Sequence, residues 1–288
     1  MRAMPVRGTA SDMATTTRRR REPVAFSVRV LLYLVYGLPL LWIVLTSLKS
    51  SGDVLSSQAS VFFTPTLDAY RAAFANPALP ASLRQSTLVA TGAMVVCVGL
   101  AVPAAYALGK IRSAVVVPAL GLLIVLQMVP QTANVIPLFA VFSRWHLVDT
   151  TFGLVLADAV MLLPWATLLL RPFYLAVTDA VEEASALDGA GRLRTFFQVV
   201  LPLVRNGVAT VAALIFLVSW GEFLYAIFLL LTPTKYPMSA LIAQQTSGFG
   251  IDWPAMMAFA TISAVPVLLV YLFSYRLLRE GLSIGAVK

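Results

Sequence analysis

Two carboxylates, Asp158 and Glu222, stand inside long apolar runs, and two amides, Gln127 and Gln131, lie one helical turn apart in a third. A charge at the centre of a bilayer costs about 2.5–3.5 kcal/mol on insertion scales, so each carboxylate must face a bundle interior or be neutral. Groups of this kind support hydrogen bonding to a hydroxyl-rich solute crossing the membrane, or an ion-coupled step. The alternative is an inter-helix hydrogen bond or ion pair that holds the bundle together, and glutamine also serves as interhelical glue. For Glu222 both readings stay open. Asp158 is read first as structural, and Gln127 and Gln131 are candidates for a translocation path.

No catalytic constellation accompanies these residues. Cys97 and His146 are each the single representative of their type, which excludes a disulfide framework and leaves no set of Cys and His ligands for a metal within one chain. The sequence has no phosphate loop of the Gly-x-x-x-x-Gly-Lys-Ser/Thr form, no Gly-x-Ser-x-Gly and no His-Glu-x-x-His. The expectation is a non-catalytic chain that binds no cofactor or metal of its own, with any energy supplied by a partner.

The elements that must position these groups follow from composition. Of 288 residues, 59% are hydrophobic and 12% charged, with mean hydropathy +0.86; the charged share is about half that of a soluble domain, near 25%. The chain is therefore an all-α integral membrane protein. Six apolar runs are expected, near residues 30–48, 86–108, 114–142, 151–170, 207–231 and 254–273. The third contains Pro118, Pro130 and Pro137 and is long enough to tilt or break. Residues 1–29 read as a basic, disordered tail with Arg18 to Arg21 ahead of the first span, 30–276 as the six-span unit, and 277–288 as a second tail. The length of the first run and the lack of a small-x-small exit argue for a retained span over a cleaved signal. On this topology sixteen of the 21 Lys and Arg fall on the side of both termini, so the net charge of +8 places that side in the cytoplasm and is not a nucleic-acid signal.

Between spans four and five, residues 173–205 form a polar island. Ala180, Ala184 and Leu187 recur at helical spacing, Asp179 with Glu182 has the pattern of a capping box, and Gly189 should end the helix. A second amphipathic run places Leu193, Phe196, Phe197, Val200 and Leu201 on one stripe until Pro202. The predicted product is a helix–Gly–helix elbow on the cytoplasmic side. Its slim first arm, Ala184, Ser185 and Ala186, suits a cleft on another protein, where small side chains permit close backbone approach.

The run Glu183-Ala184-Ser185, then Gly189, then Val199, then Leu201-Pro202 closely resembles the signature of the membrane subunits of bacterial ABC importers: Glu-Ala-Ala, three residues, Gly, nine residues, Ile, one residue, Leu-Pro. Ser185 and Val199 are its departures, both similar in size to the residues they replace. Further likeness at Met128-Val129-Pro130, residues 136–139 (Ile-Pro-Leu-Phe), 147–150 (Leu-Val-Asp-Thr), 182–190 and Trp220-Gly221-Glu222-Phe223 resembles carbohydrate permeases of the maltose type; Gly221 stands where relatives tend to have Asn. The resemblance implies that Glu182, Glu183, Ala184, Ser185, Ala186, Leu187, Asp188, Gly189, Leu201 and Pro202 couple the chain to a cytoplasmic ATPase dimer, which would bind ATP and Mg²⁺. It also implies a second homologous permease subunit, an extracytoplasmic sugar-binding protein, and a multi-pass place in a bacterial cell membrane. The implied cargo is a di- or oligosaccharide or a related polyol or glycoside. An ion-coupled secondary transporter using Glu222 and Asp158 is the alternative; it would favour an internal repeat, which the sequence lacks. A membrane scaffold or receptor is a third reading, since an elbow docking a partner would serve it too.

Overall fold

The computed structural model describes residues 10–55, 63–247 and 250–284. Its helices are α1 (Ala10–Ser47), α2 (Ser51–Leu55), α3 (Asp68–Ala75), α4 (Ala78–Lys110), α5 (Val116–Met128), α6 (Gln131–Arg144) and α7 (Thr151–Ala176). They continue with α8 (Asp179–Leu187), α9 (Arg192–Thr195), α10 (Leu201–Leu203), α11 (Arg205–Trp220), α12 (Leu224–Leu229), α13 (Met238–Ala243) and α14 (Trp253–Ile284). A small antiparallel ladder pairs Thr246 with Ile251 and Ser247 with Gly250. Four helical stretches are long and apolar enough to cross a membrane: Phe26–Ser47, Ala78–Lys110, Thr151–Ala176 and Trp253–Tyr275. Two bent pairs, α5 with α6 at 96° and Arg192–Leu203 with α11 at 75°, raise the number to six if each is one span.

The core runs along α4, α7 and α11. Ala93, Cys97, Ala101 and Ala105 recur every fourth residue on α4 and are fully buried. Cys97, Ala101 and Ala105 pack in one cluster with Leu162, Ala166, Leu170 and Tyr174 of α7 and Val211 and Ile215 of α11. Lipid gives helices no hydrophobic reason to associate, so close approach over small side chains and the resulting dispersion contacts hold such a seam. α1 lies against α14, and its apolar side chains from Phe26 to Leu41 are exposed.

The breaks have local causes. Pro130 forces Val129 into extended backbone (ψ 120°), which ends α5 and turns the chain into α6. Pro202 offers no N–H to the carbonyl four residues back, and the preceding segment Phe196–Val200 widens into a π-helical turn closed by the Leu201 N–H on the Phe196 carbonyl. Val204 (φ −95°, ψ 5°) then makes the corner into α11.

Two expectations change here. The tail predicted to be disordered is helical from Ala10, continuous with the first apolar segment, since a helix already nucleated in the long apolar run extends into it at low cost. The fifth run is not one helix: α11 ends at Trp220 and α12 restarts at Leu224, so Glu222 lies in a break.

The connection from α6 to α7 is fastened across the bundle. Asp149, in the left-handed region at φ 58°, accepts through Oδ1 from the Leu231 and Thr232 N–H groups at 3.0 Å and through Oδ2 from Lys235 Nζ and the Thr232 hydroxyl, both at 2.7 Å. The lysine bond and the Thr232 donors, against the opposing effect of burial, hold its carboxyl well below the usual range. A lowered carboxylate stabilises the fold above its unfolded value, near 3.9, and loses that contribution as pH falls through the lowered one. The latch is thus intact at neutral pH.

Candidate functional site

The elbow forms at one end of the bundle. α8 closes in a Schellman turn: the Gly189 N–H donates to the Ala186 carbonyl and the Ala190 N–H to the Ser185 carbonyl, both at 3.0 Å, with Gly189 at φ 78°. That conformation is why glycine serves at the hinge. The two arms are then pinned to each other by a buried hydrogen bond of 2.9 Å between the hydroxyls of Ser185 and Thr195. Phe196 and Val200 turn into the core, whereas Leu193 and Phe197 stay exposed.

Two sequence expectations are corrected at the first arm. Asp179 and Glu182 make no capping box, and Thr178, at the N-cap, makes no side-chain cap bond. Both carboxylates are drawn instead to cations at the end of α4. Lys110 Nζ lies 3.1 Å from Asp179 Oδ1 and 3.1 Å from Glu182 Oε1, Arg112 donates to Asp179 at 2.7 Å, and the Tyr106 hydroxyl donates to Glu182 at 3.0 Å. These pairs join two full charges, whereas a capping carboxylate would meet only the dipole of a backbone N–H. The bond from Lys110 comes first, with Arg112 behind it, in holding the Asp179 carboxyl below its ordinary value. Ser185 departs from the expected role as well: it is buried inside the elbow, so the outward surface of the first arm consists of Glu183, Ala184, Ala186, Leu187 and Asp188. Leu187 is 89% exposed at its tip. Leu201 is half-buried and Pro202 exposed where the second arm ends.

The polar residues at membrane depth divide into two groups. Asp158 is fully buried and accepts the Ser219 hydroxyl, a tie from α7 to α11 that accords with its structural reading. Glu222 and Gln131, 91 residues apart in sequence, come together at 2.8 Å across the two helix breaks. Glu222 also caps α12, its Oε1 accepting from the Tyr225 N–H at 2.8 Å and its Oε2 from the Ala226 N–H at 3.1 Å. A carboxylate at the positive end of a helix with three donors is well satisfied.

Gln127 and Gln131 do not sit on one helix, because the Pro130 break separates them. They nevertheless line the same cavity of about 780 Å³, with Asn134, Trp165 and Tyr225 among its other walls. Gln127 donates to the Met161 carbonyl at 3.3 Å and ties the α5 end to α7. Glu222 stands behind this wall, holding Gln131. Asn134 and Tyr225 join the site without any sequence signal, since neither sits in an unusual local pattern; only the bend of α5 on α6 brings them in. Among the described residues, no group of three or more His, Cys, Asp or Glu is placed to hold a metal ion.

Residues 98–284 match the family described as binding-protein-dependent transport system inner membrane component. A putative ABC transporter permease of Streptomyces antibioticus is 36% identical over 78% of this chain and 98% of its own length. The sulfoquinovosyl glycerol transport system permease protein SmoH of Agrobacterium fabrum is 32% identical over 93% of this chain and 94% of its own. The fold matches a solved bacterial ABC transporter involved in the import of the acidic polysaccharide alginate, with a TM-score of 0.74 and 21% identity, covering 94% of this chain and 99% of that one. The match to the family model over most of the chain, with two relatives above 30% identity, leads to one conclusion: the chain belongs to the binding-protein-dependent transport system inner membrane components and is a multi-pass protein of the bacterial plasma membrane.

Proposed function

We propose that this chain is one of two membrane subunits of an ABC importer that moves a sugar, of the di- or oligosaccharide, polyol or glycoside class, into the cell. Each bent pair counts as one span, which makes six, with both termini and the elbow of residues 173–205 in the cytoplasm. The first arm docks a cytoplasmic ATPase through Glu183, Ala184, Ala186 and Leu187, with Glu182, Ser185, Asp188, Gly189, Leu201 and Pro202 shaping and seating that surface. ATP and Mg²⁺ are bound and hydrolysed by the ATPase, a second permease completes the path, and an extracytoplasmic binding protein delivers the sugar. Gln127 and Gln131 lie along the path, and Glu222 orients Gln131 while capping α12.

The observation that carries this reading is the projecting first arm. Its exposed face is largely apolar, with the carboxylates of Glu183 and Asp188 on it, while Asp179 and Glu182 are spent on α4. Such a face suits insertion between walls of a cleft offering a cation. The sugar assignment is supported by the names of the Agrobacterium relative and of the alginate importer. The ion-coupled alternative is disfavoured by the match to the binding-protein-dependent family over residues 98–284. The test is genetic. A strain lacking this chain should lose uptake of at least one radiolabelled saccharide from a panel of disaccharides, oligosaccharides and glycosides, and a plasmid copy should restore it. If no saccharide in the panel depends on the chain while another solute class does, the sugar reading is wrong.

A further inference from the structure

Lys110 is the last residue of α4, and its side chain is only 10% exposed. The ammonium donates to the carbonyl of Val177, where α7 ends, and to Asp179, and it faces Glu182 at 3.1 Å. Two of its donors are thus spent on hydrogen bonds, and Glu182 Oε1 adds an ion pair without a hydrogen bond. All three partners lie on the junction from α7 into α8. With Arg112 on Asp179 and Tyr106 on Glu182, the root of the elbow is gripped by one end of α4. The elbow itself is closed by the Schellman turn and the Ser185–Thr195 bond, so its two arms cannot swing separately without breaking those contacts.

The other end of α4 is also fastened. Ser86 Oγ accepts the Met238 N–H at 2.8 Å, where α13 starts, and Gln85 Oε1 accepts the Thr151 hydroxyl at 3.1 Å, where α7 starts. α4 has 33 residues, about 50 Å at ~1.5 Å per residue, and thus reaches through a bilayer and both its interfaces. Along the way Cys97, Ala101 and Ala105 are fully buried in the core against α7 and α11, and close packing of this kind transmits displacement.

We infer that Lys110 is the positioning residue that fastens the elbow to α4, so that a displacement imposed on the elbow is carried along α4 to α13 and to the start of α7 at the opposite end. The inference rests on the elbow being the docking element for the ATPase. Lysine suits the place because a point charge on a flexible stem can meet two hydrogen-bond acceptors and a further carboxylate that do not share a plane. A static brace would contribute stability but would leave no nucleotide-dependent signature when removed.

The test uses the assembled transporter with its ATPase. In a Cys97→Ala background, spin labels go on Gly191→Cys, where an added Cβ meets open space, and on Leu88→Cys, which is exposed near the far end of α4. Pulsed EPR then reads the distance without nucleotide and with Mg-ATP plus vanadate. With Lys110, and with Lys110→Arg, the distance should be the same in both states. With Lys110→Met it should change on nucleotide addition by about 5 Å, the scale of a one-turn shift, while the ATPase still co-purifies. The inference is overturned by a nucleotide-dependent change in the Lys110 protein, by an invariant distance in Lys110→Met, or by loss of the ATPase from Lys110→Met. If Lys110→Met does not accumulate, Asp179→Asn replaces it under the same readings. Retention of the ATPase by Glu183→Lys would sink the docking reading itself, whereas an invariant Lys110→Met sinks only the transmission role.

Discussion

Glu222 has two duties that a single substitution can separate. Its carboxylate caps α12 and orients Gln131, which lines the cavity. Glu222→Gln keeps one oxygen, which can still accept from the Tyr225 N–H and Gln131, and gives up the charge and the acceptor for the Ala226 N–H, so the chain should stay folded and saccharide uptake should persist. Glu222→Ala removes the cap, worth about 0.5–2 kcal/mol, and frees Gln131, so both the thermal midpoint of the purified chain and the uptake rate should fall. A normal midpoint with lost uptake in Glu222→Gln would show that the charge itself acts on the path. Normal behaviour of Glu222→Ala in both measurements would exclude either duty. This pairing could not be read from the sequence, in which Glu222 and Gln131 are far apart and the apolar run around Glu222 hides the break; only the packing of α12 against α6 makes them partners.

At the scale of elements, the elbow's second hinge requirement is conformational. Gly189 at φ 78° occupies a region where an L side chain costs about 1–2 kcal/mol, more for a β-branched one and less for Asn. Gly189→Val should therefore swing the second arm and release the ATPase from the affinity-purified complex, while Gly189→Asn should keep most of it. Equal retention by Val and wild type would mean that docking does not depend on the turn. A different close approach holds the start of α7, where Thr150 caps the Gly153 N–H at 2.9 Å and a Cβ on Gly153 would come 2.1 Å from the Leu147 carbonyl oxygen. Gly153→Ala should lower the thermal midpoint in detergent by several degrees, consistent with the 1–3 kcal/mol typical of overpacking.

The elbow's helix, its end at Gly189 and its interruption near Pro202 were legible because each depends on local periodicity, glycine and proline. The capping box and the outward Ser185 were misread for a physical reason. Asp179 lies 69 residues from Lys110, and the stronger bond available after folding displaced the weaker local one. Ser185, suited to a cleft by size, found a hydroxyl partner ten residues away.

For the whole molecule, the alternation of apolar runs with basic loops makes topology and energy coupling one question. If residues 173–205 face the cytoplasm, reporters fused at Gly191 and at Ser247 should give opposite-side signals, and the same sign from both would reject the six-span arrangement. The apolar runs themselves were readable from composition, whereas the breaks that build the cavity needed the prolines and the inter-helix bonds to be seen together. The most direct measurement is co-purification of the ATPase with Glu183→Lys, assembled with the second permease and read beside saccharide uptake. The predicted result is a folded permease pair that has lost its ATPase and its uptake, both recovered by an acidic substitution at the facing cation of the ATPase, since the reversed charge would otherwise meet a like charge. A Glu183→Lys complex that holds its ATPase and imports sugar at the wild-type rate would contradict it.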